Sequence, residues 1–113
     1  MTRIALSESA APARILAAAR RLGVDIRIAR KRRQLRQEDL ARAAGITVPT
    51  LRRVESGSLG TGLGAYLAVL WAMGLDERVS ALVDPASDIE GETLEAARRG
   101  RRVRLARTIS DDF

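Results

Sequence analysis

Apolar residues return every three or four positions over most of residues 9–83, the period of amphipathic helices, and glycine or proline breaks the pattern at short intervals. The first predicted helix covers 9–22. Ser9 is its cap, Pro12 is tolerated in the first turn, Arg20 and Arg21 suit the last turn, and Gly23 is a stop. The second covers 24–34, with Val24, Ile28 and Leu35 as its apolar positions, Ile26 and Ala29 beside them, and Arg and Lys on the other face. Whether the two are separate or joined through Gly23 is open, since glycine inside a helix costs about 1 kcal/mol and does not forbid it. The third, 37–44, turns Leu40, Ala41 and Ala44 inward and places Glu38 and Asp39 where the helix dipole favours acids. Gly45 suits a tight turn. Thr47 then caps a fourth helix, 48–56, whose first turn tolerates Pro49 and whose Leu51 and Val54, with Ile46 before the cap, face a core. A glycine-rich loop at 58–62 leads to an apolar helix at 63–73, closed by Gly74, and a last short helix at 76–83 stops at Asp84-Pro85. The expected organisation is a helical N-terminal extension at 1–21, an all-α domain at 22–85 and a charged tail at 86–113.

Composition narrows the class. The chain has 113 residues, neither Cys nor His, and three aromatic residues, Tyr66, Trp71 and Phe113. The missing types exclude a thiol nucleophile, a disulfide frame, a zinc finger and an imidazole base. An enzyme or Mg²⁺ site built only from carboxylates stays formally open, but small basic chains are seldom enzymes, so no catalytic residue, metal or cofactor is expected. Residues 56–75 carry no charge, yet the strongly apolar part is only 63–75, too short to cross a bilayer. Glu8 interrupts the N-terminus before any apolar run of signal-peptide length. The expectation is a cytoplasmic protein with no membrane partner.

Charge adds a partner. The net charge is +6, and of the 20 basic residues all but Lys31 are Arg. An excess of guanidinium groups favours a polyanion, nucleic acid first. The signs are segregated: residues 20–36 sum to +7, 58–85 to −2, 86–97 to −4 and 98–107 to +6. Blocks of one sign read as a binding face and a charged tail rather than a solvated coat.

The two short helices joined at Ala44-Gly45-Ile46-Thr47 have the form of a helix-turn-helix, in which the first helix crosses the DNA backbone and the second enters the major groove. Several stretches together resemble the Cro/C1 (XRE) family: Ile26-Arg27-Ile28-Ala29-Arg30-Lys31-Arg32-Arg33, Gln37-Glu38-Asp39-Leu40-Ala41, the turn itself, Leu51-Arg52-Arg53-Val54-Glu55-Ser56-Gly57 and Leu70-Trp71-Ala72-Met73-Gly74-Leu75. The likeness spans about residues 22–84. It implies a five-helix, usually dimeric domain that binds double-stranded DNA at a palindromic operator, here with an extra N-terminal helix.

The same resemblance assigns roles. Gln37 contacts a phosphate from a helix N-terminus, where free N–H groups and the dipole favour anions, and Ser56 is placed with it. Arg30 and Glu55 form a structural pair. Val48, Pro49, Thr50, Arg52 and Arg53 face the bases. Val48 and Pro49 offer only apolar contact, Thr50 a hydrogen bond, and Arg53 and Arg52 the bidentate contact to guanine that is worth roughly 1–3 kcal/mol of discrimination. Arg27, Arg33 and Arg36 read as phosphate contacts, because phosphates need charge rather than register. Two positions depart from the family: Arg36 stands where a capping Thr or Ser is usual, and Pro49 where a polar reader is common. Trp71 and Tyr66 read as core residues beside Leu67, Leu70 and Met73. The loop around Gly60 lacks the Lys-Ser/Thr of a phosphate-binding loop and reads as a connector.

The tail carries two further signals. Arg102-Val103-Arg104-Leu105 alternates polar and apolar, as a short strand paired across a dimer would, and Phe113 follows two acids as an anchor for a partner. With these, the chain resembles HipB-like antitoxins, which bind a HipA-type kinase toxin and repress their shared operon. The resemblance implies a repressor with a kinase-like protein partner. A stand-alone phage-like or regulatory repressor without a toxin is the alternative, and a disordered tail is the plain reading of its two charge blocks.

Overall fold

The computed structural model describes residues 11–111, with side chains through Thr108. The caps and anchors expected at Ser9 and Phe113 lie outside the described residues. Helix α1 runs Ala13–Arg32, α2 Gln37–Ala44, α3 Val48–Glu55, α4 Leu63–Ala72, α5 Glu77–Ser80 and α6 Ile89–Asp111, with one 3-10 turn at Pro85–Ser87 and no strand among the described residues. The chain divides into two compact units, Met1–Glu77 and Arg78–Phe113.

In the first unit, α1 packs on α3, and α2, α3 and α4 pack on one another. Their shared core is Ile26, Leu40, Ala41, Leu51, Val54, Tyr66, Val69 and Met73. Gly23 does not stop a helix. It lies inside α1, and a Cβ there would sit 2.5 Å from the Glu55 carbonyl oxygen and 2.7 Å from the Gly57 nitrogen. Gly57 is its counterpart: at φ 74°, a Cβ would run into the Ala19 carbonyl oxygen. The two glycines let the α1 backbone cross the end of α3 without side chains between them. That close crossing decides which face of α1 is buried. The inward stripe is Gly23, Ile26 and Arg30 with Ala29 partly covered, while Val24 and Ile28, expected inside, are exposed.

Helix α1 ends on Gln34 at φ 55°, with the Gln34 N–H on the Lys31 carbonyl and the Leu35 N–H on the Arg30 carbonyl. This left-handed closure is one that glycine adopts more easily.

Helix α4 is apolar on every side. Tyr66, Val69 and Met73 form its buried stripe, and the Tyr66 hydroxyl donates to the Ser58 carbonyl at 2.7 Å, tying the glycine-rich loop to the core. Burial pushes the Tyr66 phenol pKa up. Trp71, expected in the core, is 63% exposed. It stands two residues from Val69, about 200° around the helix, and so points away from the stripe.

In the second unit, the helix expected at 76–83 is shorter: α5 is a single turn, Glu77–Ser80, at the boundary between the units. The expected strand at 102–105 is part of α6 instead. Asp88 accepts from the Gly91 N–H at 3.0 Å and so caps the helix, Glu90 and Glu92 occupy its first turn, and basic residues follow. The acids of that first turn suit the helix dipole. A four-residue alternation with no strand beside it does not outweigh these signals or the helix propensity of Glu, Ala, Leu and Arg. No helix of the described residues is long and apolar enough to cross a membrane.

Gly57→Ala should cost at least about 2 kcal/mol of stability, since both its φ and its backbone neighbours oppose a side chain. Gln34→Gly should add about 0.5–1 kcal/mol by relieving the left-handed φ. Urea denaturation of both variants checks the two signs.

Candidate nucleic-acid interface

The turn between α2 and α3 follows from three residues. Gly45 takes φ 70°, which lets the Ile46 N–H reach the Ala41 carbonyl at 3.0 Å. Thr47 caps α3, its hydroxyl accepting from the Thr50 N–H at 3.3 Å, and Pro49 sits in the first turn, where no N–H is needed. Leu51 and Val54 point into the core, so Pro49, Arg52, Arg53 and Ser56 share the outer face.

Beneath that face lies a buried ion pair. Arg30 donates to both Glu55 oxygens, at 2.7 Å from Nε and 3.0 Å from Nη2, and its Nη1 donates to the Leu35 carbonyl at 2.9 Å. The residues are 7% and 9% exposed. The pair therefore joins α1, the loop before α2 and the end of α3. A fork-to-fork geometry with the third donor direction also satisfied is what a buried guanidinium needs.

The network continues outward. Gln37 Nε2 donates to Glu55 Oε1 at 3.3 Å, and Arg52 Nε donates to Gln37 Oε1 at 3.4 Å. These partners fix which way the Gln37 amide faces. Arg27, Gln37, Arg52, Glu55 and Ser56 line one cleft of about 290 Å³. It holds two exposed guanidinium groups and an amide at the α2 N-terminus, above a carboxylate already neutralised by Arg30. Such a cleft can take a phosphate.

The other expected contact residues lie differently. Val48 is half-buried against the core, and Thr50 is half-buried with its hydroxyl 2.9 Å from that of Thr47. Ser56 Oγ donates to the Arg53 carbonyl at 2.8 Å. Arg33 is exposed, with Nη1 on the Ala29 carbonyl at 3.0 Å. Arg36 is held by Asp39, at 3.1 Å from Nε to Oδ2 and 3.1 Å from Nη2 to Oδ1, while Asp39 Oδ2 also accepts the Arg36 backbone N–H at 3.1 Å. Arginine has no side-chain acceptor, so it cannot cap α2 as Thr or Ser would; the carboxylate of Asp39 instead satisfies the backbone from inside the helix. The hydrogen bonds from the Arg36 side chain and backbone hold the Asp39 carboxyl below the usual carboxylate range, and Asp39 raises the Arg36 guanidinium pKa. Arg102, Val103, Arg104 and Leu105 are exposed on α6 in the second unit.

Sequence reasoning missed the Arg52–Gln37 contact, the Arg30 bond to Leu35 and the role of Asp39. The spacing of Arg36 and Asp39, three residues apart across a helix start, carried the last signal.

The architecture defines an all-helical helix-turn-helix protein. The chain belongs to the helix-turn-helix domain family, whose model matches residues 21–82, and its helices agree with the Cro/C1 type of that fold. Helix-turn-helix domains are DNA-binding modules of regulators. A comparison with curated proteins finds no match.

Arg30→Met or Glu55→Leu alone leaves a buried charge without its partner and should cost about 3–5 kcal/mol, whereas both together should cost far less than the sum. Denaturation of the four proteins of this cycle checks it. The Asp39 carboxyl is depressed in the folded chain, so its contribution is present at neutral pH and is lost as pH falls through and below the usual carboxylate range. Stability measured against pH should show a shallower acid limb for Asp39→Asn.

Proposed function

We propose that the protein is a sequence-specific transcriptional repressor that binds a palindromic double-stranded operator as a homodimer. The observation that carries this reading is the cleft of Arg27, Gln37, Arg52 and Ser56 beside the exposed face of α3. A phosphate seated there would fix the register of α3, leaving Arg53 and Pro49 toward the bases and Arg33 as a second backbone contact. Val48 and Thr50, being half-buried, contribute at the edge of that face rather than at its centre. Arg36 serves the backbone only by sharing its guanidinium with Asp39. Arg30 and Glu55 hold the frame and touch no base.

A second reading adds a kinase-like toxin and makes the repressor an antitoxin that controls its own operon. Its support is the likeness of the tail sequence to HipB-like antitoxins and the exposure of Arg102, Val103, Arg104 and Leu105. Co-purification of a kinase-like protein from the native cell, lost on deleting residues 98–113, would establish it; purification without one leaves the stand-alone repressor.

Selection of bound sites from random DNA should return half-sites about one helical turn apart. Arg53→Ala should relax preference at one base pair by about 1–3 kcal/mol. Arg27→Ala should weaken every sequence alike and lower the salt slope by about 1. Binding with no sequence preference at physiological salt would overturn the repressor reading.

A further inference from the structure

Helix α6 presents a problem of its own. Apart from the half-buried Gly91, every residue of it with a described side chain is exposed, including Ile89, Leu94, Val103 and Leu105. It contains Gly91 and Gly100, and its one internal ion pair among the described residues, Glu95–Arg99 at 3.8 Å, is open to solvent on both sides. A helix of this kind gains little from its own contacts and ordinarily depends on packing.

Its charges are not mixed but divided. The stretch 86–97 carries −4 and 98–107 carries +6. Glu90, Glu92, Arg98, Arg101, Arg102 and Arg107 form no ion pair among the described residues. Ile89, Ala96 and Val103 recur every seven residues and so fall along one stripe of the helix. That stripe is symmetric about Ala96, and so, to within a turn, is the boundary between the acidic and basic halves.

From this we propose that α6 is a self-association helix whose partner is α6 of a second copy, packed antiparallel across a two-fold axis at Ala96. In that arrangement Ile89 lies against Val103 of the other copy, Ala96 against Ala96, and each acidic half against a basic half. A parallel pair would instead set acid on acid and Arg on Arg. The two-fold relation satisfies both halves at once, as an isologous interface requires. The inference rests on the repressor reading only in naming a surface for its dimer; it concerns assembly in the absence of DNA.

The test uses the full chain. Sedimentation equilibrium should find a dimer whose dissociation constant rises with salt. Arg98→Glu with Arg101→Glu and Arg102→Glu puts acids in both halves of α6, and Glu90→Arg with Glu92→Arg and Glu95→Arg puts bases in both halves. Each triple variant alone should dissociate at least tenfold more readily, and an equimolar mixture should form a heterodimer. The mixture guards against either variant merely losing its helix. Because the chain has no Cys, single cysteines report orientation without background. Ala96→Cys should cross-link to itself, and Val103→Cys should not, since seven residues from the axis separate two copies by about 21 Å. A monomeric wild type, a dimer in either triple variant alone, self-cross-linking through Val103→Cys, or capture of a kinase-like protein on α6 in place of the second copy would overturn the proposal. Loss of DNA sequence preference with the dimer intact would instead overturn the repressor reading and leave the α6 dimer standing.

Discussion

The buried contact between Arg30 and Glu55 sets the relation between the frame and the binding face. Arg30 is contributed by α1, Glu55 closes α3, and the third guanidinium bond holds Leu35 in the loop that leads to α2. The end of α1, the loop that follows it and the end of α3 thus meet at one ion. Glu55 in turn accepts from Gln37, which accepts from Arg52. The position of an exposed arginine is therefore linked, bond by bond, to a guanidinium sealed in the interior. A buried ion pair is weak evidence for stability, because desolvation offsets much of the attraction. Its better-supported effect here is geometric: it admits one register between α1 and α3, and it neutralises a carboxylate that would otherwise repel phosphate from the cleft.

The glycine crossing makes that register reachable. Arg30 meets Glu55 only because α1 lies close against the end of α3, and the close approach exists because Gly23 and Gly57 carry no side chain. Seven residues separate Gly23 from Arg30, two turns of one helix face. The steric and electrostatic contacts are thus two ends of one stripe, with Ile26 between them.

Much of this was legible in the sequence where the signal is local. Gly45, Thr47 and Pro49 announced the α2–α3 turn because each acts on the backbone beside it. The stripes of α2 and α3 were readable because their alternatives are charged. Apolar periodicity failed where it could not choose a face. In α4 every face is apolar, so nothing along the chain said that Tyr66 is inside and Trp71 outside. In α1 the apolar Val24 and Ile28 outweighed Gly23 on paper, yet a glycine that permits backbone contact fixes the buried side more firmly than a valine that merely prefers it. At the tail, a four-residue alternation pointed to a strand, while the order of acids and bases over twenty residues pointed to a helix. The acids stand in the first turn, where the dipole favours them, and the Ala, Leu and Arg that follow favour helix.

The charge blocks acquire different meanings once their partners are known. Of the eight basic residues in 20–36, three are tied to acids: Arg21 to Asp25, Arg30 to Glu55 and Arg36 to Asp39. Arg21 and Arg36 are held by short-range exposed pairs that exchange easily with other anions, whereas Arg30 is sealed and contributes nothing to the field outside. The count of +7 along the chain therefore overstates the cations ready to meet a phosphate backbone. In α6 the imbalance works the other way. Acids and bases that would cancel if interleaved are gathered in opposite halves, with Glu95 and Arg99 paired where the halves meet, so the net charge understates the field each half projects. One block ties three of its eight bases into the domain; the other leaves most of its charge for contacts outside its own helix.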